Sequence, residues 1–298
     1  MKRNIVFLVK GLVMGVMVLG FLFAIVMPQY STVYIASFRD KYALLKSIEE
    51  PKIIVIGDSN VAFGIDSLKI SEQFQMPVVN LGLHGALSQA FHTDMIKEYI
   101  GKDDIVVICP AGYAGDAKIE NALLAWVTIE NSFELWKGIN SSNWERMFTA
   151  YPTYLKRALK LWITKEGNAQ INGPYSRAAF NEWGDVVFPR TASVVSETVY
   201  EGNYDFTLLS PLMKQYWNEY NAFVLKNGGR LYMSCAPRIE EKITQEDRVS
   251  IELLETSLKQ GLEVPIISRM EVIYILGNGF MIHCGISMIK EKKYGHSS

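Results

Sequence analysis

The sequence has few cysteines and no excess of either charge. Its 298 residues contain three widely spaced cysteines, Cys109, Cys235 and Cys284. An odd and scattered set of this kind suits neither a zinc site nor a disulfide framework. The 30 Lys and Arg residues are balanced by 31 Asp and Glu residues, for a net charge of -1. The chain therefore lacks the basic surplus that nucleic-acid binding requires, and we expect no nucleic-acid partner.

The N-terminus carries a long apolar run, from Ile5 to Met27, that only Lys10 interrupts. About 20 apolar residues suffice to cross the hydrocarbon core of a bilayer. Residues 1–27 are therefore predicted to be a cytoplasmic tip followed by a transmembrane anchor. The positive charges on its N-terminal side are Lys2, Arg3 and Lys10. They favour a cytoplasmic N-terminus and an extracytoplasmic C-terminal domain, although Arg39 and Lys41 weaken the asymmetry.

A cleaved signal peptide is the alternative interpretation of this run. Its apolar core would span 7–15 residues and end at a small-x-small cleavage site. The stretch AIVMPQYS, from Ala24 to Ser31, offers no convincing site of this type. The sequence therefore favours an uncleaved anchor in a cell membrane.

The stretch KIIVIGDSNVAFGID, residues 52–66, organises the rest of the chain. Residues 53–56 are aliphatic and predict a short buried strand, which Gly57 ends with a turn. The turn places Asp58, Ser59 and Asn60 at the carboxyl edge of the strand. Ligands of open α/β sheets bind at that edge, so Ser59 is expected to face a crevice.

Further apolar runs alternate with helical patterns along the chain. They predict strands at Val78–Leu81, Ile105–Cys109, Leu231–Cys235 and around Ile266. This alternation indicates an α/β fold, a three-layer α/β/α sandwich whose sheet is mainly parallel. We expect a tether over residues 28–51 and a domain over residues 52–298, with a helical insertion at 116–204.

The GDSN turn and the later PVVNLGLHG segment, residues 77–85, resemble the first two sequence blocks of the SGNH (GDSL-type) hydrolase superfamily. The resemblance implies a flavodoxin-like sandwich in which Ser59 is the acyl-carrying nucleophile. It implies that the N–H groups of Ser59 and Gly82 hold the oxyanion. The Pro110–Gly112 loop lacks the asparagine of the most familiar members, and Asn60 is the nearest candidate for the third donor. The alternative is a plain turn after each strand.

A single N-terminal span resembles the membrane-anchored members of this superfamily that work beside membrane-bound O-acyltransferases. Asn181, Gly184 and Asp185 also resemble a short motif of such envelope proteins. The resemblance implies an esterase or acyltransferase that acts on an acylated envelope polysaccharide or an acyl donor, with no metal or organic cofactor. The alternative is an inactive scaffold that binds a membrane-bound O-acyltransferase.

The catalytic base is harder to assign. SGNH enzymes take a histidine from the last loop, with an acid three or four residues before it, and His283 stands at about the right place. The corresponding positions are Gly279 and Phe280, and Asn278 is the nearest polar side chain. An amide would lose the charge that stabilises the imidazolium. The other histidines are His84, beside the second glycine loop, His92 on a helix and His296 near the chain end.

The atypical tail, residues 278–298, is explained by a frameshift hypothesis. With suitable synonymous codons, one nucleotide string for residues 278–297 also encodes WFYDSLWHINDKGKEIWTQ when it is read two bases on. That string restores an acid, a histidine and a helix start at the spacing of the last SGNH block. Under this hypothesis the natural acid and histidine are absent from the chain.

Replacing everything after Leu276 with this alternative tail tests the hypothesis. A serine hydroxyl is a weak nucleophile without a base, so we expect a large gain in acyl-ester hydrolysis that disappears with Ser59→Ala. If the chain as given already turns over at the repaired rate, and His283→Ala abolishes that rate, then His283 is the true base and the hypothesis is wrong.

Overall fold

A parallel sheet of four strands forms the centre of the computed structural model, which describes residues 2–110, 117–188, 209–234 and 244–266. The strands are β1 (Ile53–Gly57), β2 (Val78–Asn80), β3 (Ile105–Cys109) and β4 (Arg230–Met233). Their order is β2-β1-β3-β4, and every neighbouring pair is parallel. The predicted α/β class and parallel sheet are confirmed. Where a fifth strand is predicted, Ile266 forms an isolated parallel bridge to Met233.

The two faces of the sheet are both covered by apolar side chains. Ile54 and Ile56 of β1 belong to the larger core cluster, whereas Ile53 and Val55 belong to a smaller one. Strands that are buried on both faces have nearly continuous apolar sequences, which is why β1 and β3 could be recognised as unbroken β-branched runs. The central strand β1 is thus held from both sides and gives its carboxyl end a fixed position.

Helices follow the strands and pack on these clusters. Their bounds are α1 (Lys2–Phe21), α2 (Phe38–Ser47), α3 (Ser59–Gly64), α4 (Ser67–Phe74), α5 (Ser88–Ile96), α6 (Ala122–Ile129), α7 (Phe133–Gly138), α8 (Trp144–Thr164), α9 (Pro211–Lys226) and α10 (Gln245–Gly261). Side chains of α3 and α4 pack in the smaller cluster, and those of α2, α5, α9 and α10 pack in the larger one. The described part of the predicted insertion, residues 117–188, contains α6, α7 and α8.

The N-terminal helix α1 is exposed from Asn4 onward and continues as one π-helical turn, Leu22–Val26. The segment Asn4–Val26 is long and apolar enough to cross a membrane, by length and composition. Its last turn differs from the rest, because Val26 and Met27 are buried against the folded domain. The candidate membrane span therefore enters the domain directly.

Residues 28–51 are not the spacer that we expected. Part of this range forms α2, and Tyr34, Phe38, Tyr42 and Leu45 are buried in the larger core cluster. The last three of these stand at helical spacing and place one apolar face of α2 on the core. The folded domain consequently begins at the end of the apolar helix and not at Lys52.

A buried carboxylate joins the apolar helix to the domain. Glu130 follows α6, and its Oε1 accepts hydrogen bonds from the backbone N–H groups of Gln29 and Tyr30, both at 2.9 Å. Its Oε2 lies 2.6 Å from Nη2 of Arg39 on α2, and the Glu130 side chain is fully buried. Burial raises the pKa of Glu130, and the Arg39 charge opposes that rise. One side chain thus satisfies the backbone that leaves the helix and pairs with α2.

We expect Glu130→Ala to lower the free energy of unfolding by about 3–5 kcal/mol, because it leaves the largely buried Arg39 guanidinium without its carboxylate partner and the Tyr30 N–H without its acceptor. Glu130→Gln keeps an amide oxygen and should cost less. Denaturant unfolding of the full chain in detergent, followed by tryptophan fluorescence, measures both. A Glu130→Ala protein as stable as Glu134→Ala, which removes only the exposed pair with Lys46, would contradict the role given to Glu130.

Candidate functional site

The carboxyl end of β1 presents Ser59 to solvent. Asp58 caps α3 by accepting the Asn60 N–H at Oδ1 (2.8 Å), and Ser59 is the exposed first residue of that helix. Gly57 makes the tight approach possible, since a Cβ there would lie 2.9 Å from the Cys109 carbonyl oxygen and 2.1 Å from Val61 Cγ2. The strand, the turn and the exposed serine that the sequence predicts are all present.

The loop after β2 lies beside this turn. Leu81 donates its N–H to the Val55 carbonyl at 2.8 Å, and Leu83 donates to the Gly57 carbonyl at 3.2 Å. A Cβ on Gly85 would stand 3.7 Å from the Asp58 Cβ. The two glycine-containing segments of the sequence therefore meet at one edge of the sheet, as expected for neighbouring parallel strands.

The backbone N–H of Gly82, which the sequence assigns to the oxyanion hole, already has an acceptor in this loop. Its N–H donates to Asn80 Oδ1 at 2.8 Å, and a Cβ there would lie 2.6 Å from the backbone nitrogen of Ala62. The structure thus gives Gly82 a packing role against α3. Donation to an oxyanion stays a prediction that requires the bond to Asn80 to break. A bulky residue at this position would disturb the fold and would not isolate an effect on a reaction.

Asn60 is exposed next to Ser59, and its side chain is used within the turn. Its Nδ2 donates to Asp58 Oδ2 at 3.3 Å, in addition to the backbone bond to Oδ1. An amide NH₂ has two hydrogens, so one remains for another acceptor. The role of Asn60 as the third oxyanion donor stays a prediction.

Of the histidines, His84 lies in the loop beside the candidate nucleophile. Its Nδ1 accepts the Ala86 N–H at 3.1 Å, so a neutral ring carries its proton on Nε2 and is not prepared to take one there. His92 is buried between Phe38 and Phe91, and burial lowers its pKa to about 4. The Nδ1 of His84 is thus already an acceptor, and His92 is enclosed in the core. His283, Asn278 and His296 lie outside the described residues.

A buried polar network lies under the β2 loop and was not predicted from the sequence. Asp185 accepts hydrogen bonds from the Ser67 N–H and hydroxyl, both at 2.7 Å, and from Asn80 Nδ2 at 2.8 Å. Burial raises the pKa of Asp185. Gly184 adopts a φ of 89° and passes so close to the Asn80 carbonyl that a Cβ would lie at 2.5 Å. The Asn181–Asp185 turn therefore fixes the insertion to the end of β2.

Lys41 completes this network from α2. Its ammonium is buried, donates to the Gly82 carbonyl at 2.5 Å and lies 4.5 Å from the centre of the Phe180 ring. Burial lowers the pKa of Lys41 to about 7, and the Asp185 charge opposes the change. From the sequence, Lys41 was considered only as a charge that weakens the asymmetry around the apolar N-terminal run. The Asn181–Asp185 turn could have been predicted, because Asn and Gly at this spacing are typical of a tight turn.

Comparisons with known proteins add nothing to this geometry. No family profile, no curated protein and no solved structure matches the chain. Among the residues that the structure describes, no three His, Cys, Asp or Glu side chains converge in the manner of metal ligands.

His92 generates a pH prediction. Its folded pKa of about 4 lies below the ordinary value of 6.5, so the unfolded chain binds the proton first as the pH falls. The contribution of His92 to stability is complete above pH 6.5 and is lost between pH 6.5 and 4, by up to about 3 kcal/mol. Urea unfolding at several pH values should show that the free energy of unfolding falls less between pH 6.5 and 4 in His92→Gln than in the unchanged protein. An unchanged pH dependence in His92→Gln would contradict the assignment.

Proposed function

We propose that this chain is a membrane-anchored SGNH-like acyl esterase or acyltransferase that acts on an envelope polysaccharide through Ser59. The observation that carries the proposal is the exposed position of Ser59 at the carboxyl end of β1, with the β2 loop alongside. The strand order β2-β1-β3-β4 reverses direction at β1. Doubly wound sheets bind their ligands in the crevice at that switch point.

The proposed fold is the three-layer α/β/α sandwich of that class. Its support is the pair of apolar clusters on opposite faces of the sheet. Helix α4 packs in the smaller cluster, α2, α5, α9 and α10 pack in the larger one, and α3 contributes to both. The insertion and the candidate membrane span are additions to this frame. The domain is proposed to face the extracytoplasmic side, on the basis of the charges before the span.

The candidate site is close in sequence to the membrane exit, which suits a substrate at the membrane surface. Tyr34 follows Met27 by seven residues, a reach of at most about 25 Å. Its hydroxyl donates to the Leu83 carbonyl in the β2 loop, and its ring stacks on Phe63 of α3 at 5.8 Å between centroids. The short segment that leaves the apolar helix therefore supports the β2 loop and α3.

In the proposed reaction, the Ser59 hydroxyl oxygen attacks the carbonyl carbon of an acyl ester. A base, His283 or its lost equivalent, takes the hydroxyl proton and returns it to the departing alcohol. The carbonyl oxygen becomes an oxyanion that the Ser59 N–H and neighbouring donors hold. Water or a glycan hydroxyl then takes the acyl group from Ser59, which gives hydrolysis or transfer.

The second candidate function is an inactive scaffold for a membrane-bound O-acyltransferase. The specific observation in its favour is the absence of an acid at Gly279 and Phe280, before His283. A chain of this kind would keep the turn and the insertion as binding surfaces. It would carry no acyl group on Ser59.

A fluorophosphonate probe separates the two functions, since it reacts with an activated serine. We expect the full chain in detergent to be labelled, weakly with the present tail and strongly with the alternative tail. Ser59→Ala should abolish labelling, while Ser47→Ala, an exposed serine on α2, should keep it. If neither form of the chain is labelled at Ser59, the enzyme proposal is wrong and the scaffold remains.

A further inference from the structure

Aromatic side chains of the insertion surround the end of the apolar helix. The Trp162 ring of α8 packs edge-on against Phe21 at 5.4 Å between centroids. On α7, Phe133 stacks on Phe23 at 4.3 Å and Trp136 meets the same ring edge-on at 5.4 Å. Aromatic residues, Trp and Tyr above all, concentrate where membrane proteins leave the hydrocarbon core. These contacts place α7 and α8 at that level if α1 spans a membrane.

The helix α8 has three distinct flanks. Met147, Tyr154 and Ala158 are buried in the domain. The next flank is apolar but exposed, and its members are Phe148 (65% exposed), Leu159 (38%), Trp162 (39%) and Ile163 (63%). Beyond it follow the exposed cations Lys156 and Lys160. Among the described residues, Phe21 contacts Trp162, but the flank as a whole stays exposed. Helices with this pattern lie in membrane interfaces.

The position of α8 fits this pattern, because the helix crosses the exit of the apolar helix. Tyr154 donates its hydroxyl to the Met27 carbonyl at 3.0 Å. Just after α8, Asn168 donates from Nδ2 to the Pro28 carbonyl at 2.6 Å and accepts the Ser31 N–H at 2.8 Å. Two points that are 14 residues apart in sequence therefore contact the same short exit segment, 27–31. These hydrogen bonds hold α8 beside the segment 27–31.

We propose that the apolar flank of α8, together with Phe133 of α7, rests in the headgroup region of an anionic phospholipid bilayer. The bilayer is favoured over a protein partner because the flank continues the apolar surface of α1 through the Phe21–Trp162 contact. The adjoining Lys156 and Lys160 suit anionic headgroups. The inference rests on the proposed membrane span. It adds a fixed orientation of the domain, with α8 lying on the membrane surface.

Spin labels measure this directly in nanodiscs that contain only the full-length protein and phosphatidylglycerol-rich lipid. Ile163→Cys is labelled in a background in which Cys109, Cys235 and Cys284 are replaced by alanine. We expect the nitroxide at 163 to collide more with oxygen, which partitions into lipid, than with a water-soluble nickel chelate. Leu68→Cys, on α4 at the opposite face of the sheet and 48% exposed, is the matched control and should show the reverse.

A third label separates failure of this inference from failure of the anchor. Leu12→Cys stands in the middle of α1 and should report the hydrocarbon core. If position 12 is deep and position 163 resembles position 68, the span exists and the proposed contact of α8 is wrong. If position 12 is in water, the membrane span itself is wrong. Lys156→Glu combined with Lys160→Glu should reduce the oxygen collisions at 163 in anionic nanodiscs more than in phosphatidylcholine nanodiscs.

Brominated lipids give an independent measurement that keeps all three cysteines. They quench tryptophan fluorescence at short range, so the natural chain should lose more emission than Trp162→Phe when brominated lipid replaces ordinary lipid. Equal fractional quenching of the two proteins would overturn the placement of Trp162 in the interface.

Discussion

The buried carboxylate of Glu130 is the interaction on which the arrangement of this protein depends. The backbone N–H groups that follow a helix need hydrogen-bond acceptors when they are buried, because a buried donor without a partner costs free energy. Glu130 accepts from two such groups, at Gln29 and Tyr30, and pairs with Arg39. The apolar helix, α2 and α6 are therefore locked together at one point. A flexible spacer at this place would leave the domain free to tumble above a membrane.

From that point, rigidity extends to the candidate site. The chain passes from Tyr30 to Tyr34, which contacts the β2 loop and α3. Lys41 of α2 then holds the Gly82 carbonyl of the same loop. Burial lowers the pKa of Lys41 to about 7, so keeping its ammonium charged costs free energy. Its main contribution is therefore the hydrogen bond to the loop. The position of Ser59 is thus linked to the end of the apolar helix by two short chains of contacts.

The sequence predicted the centre of the fold well and its N-terminal edge poorly. Strands β1 and β3 were recognised with nearly their observed bounds, since both are buried on two faces and their apolar runs are unbroken. Residues 28–51 were expected to be a tether, but polar residues within this range, Gln29, Ser37 and Lys41, are buried, which their residue types do not predict. The burial of Lys41 could not be foreseen, since lysine is rarely buried and its acceptor lies 41 residues away.

The candidate site was predicted in part, because only some of its features depend on local sequence. The Gly57 turn and the exposed Ser59 follow from local sequence, whereas the use of the Gly82 N–H by Asn80 depends on how two loops pack. The titratable side chains near Ser59 in the described structure already make hydrogen bonds to the backbone. Asp58 caps α3, and His84 Nδ1 accepts the Ala86 N–H. The two proposed functions therefore differ in one group, the base that Ser59 would need, and share the rest of the described architecture.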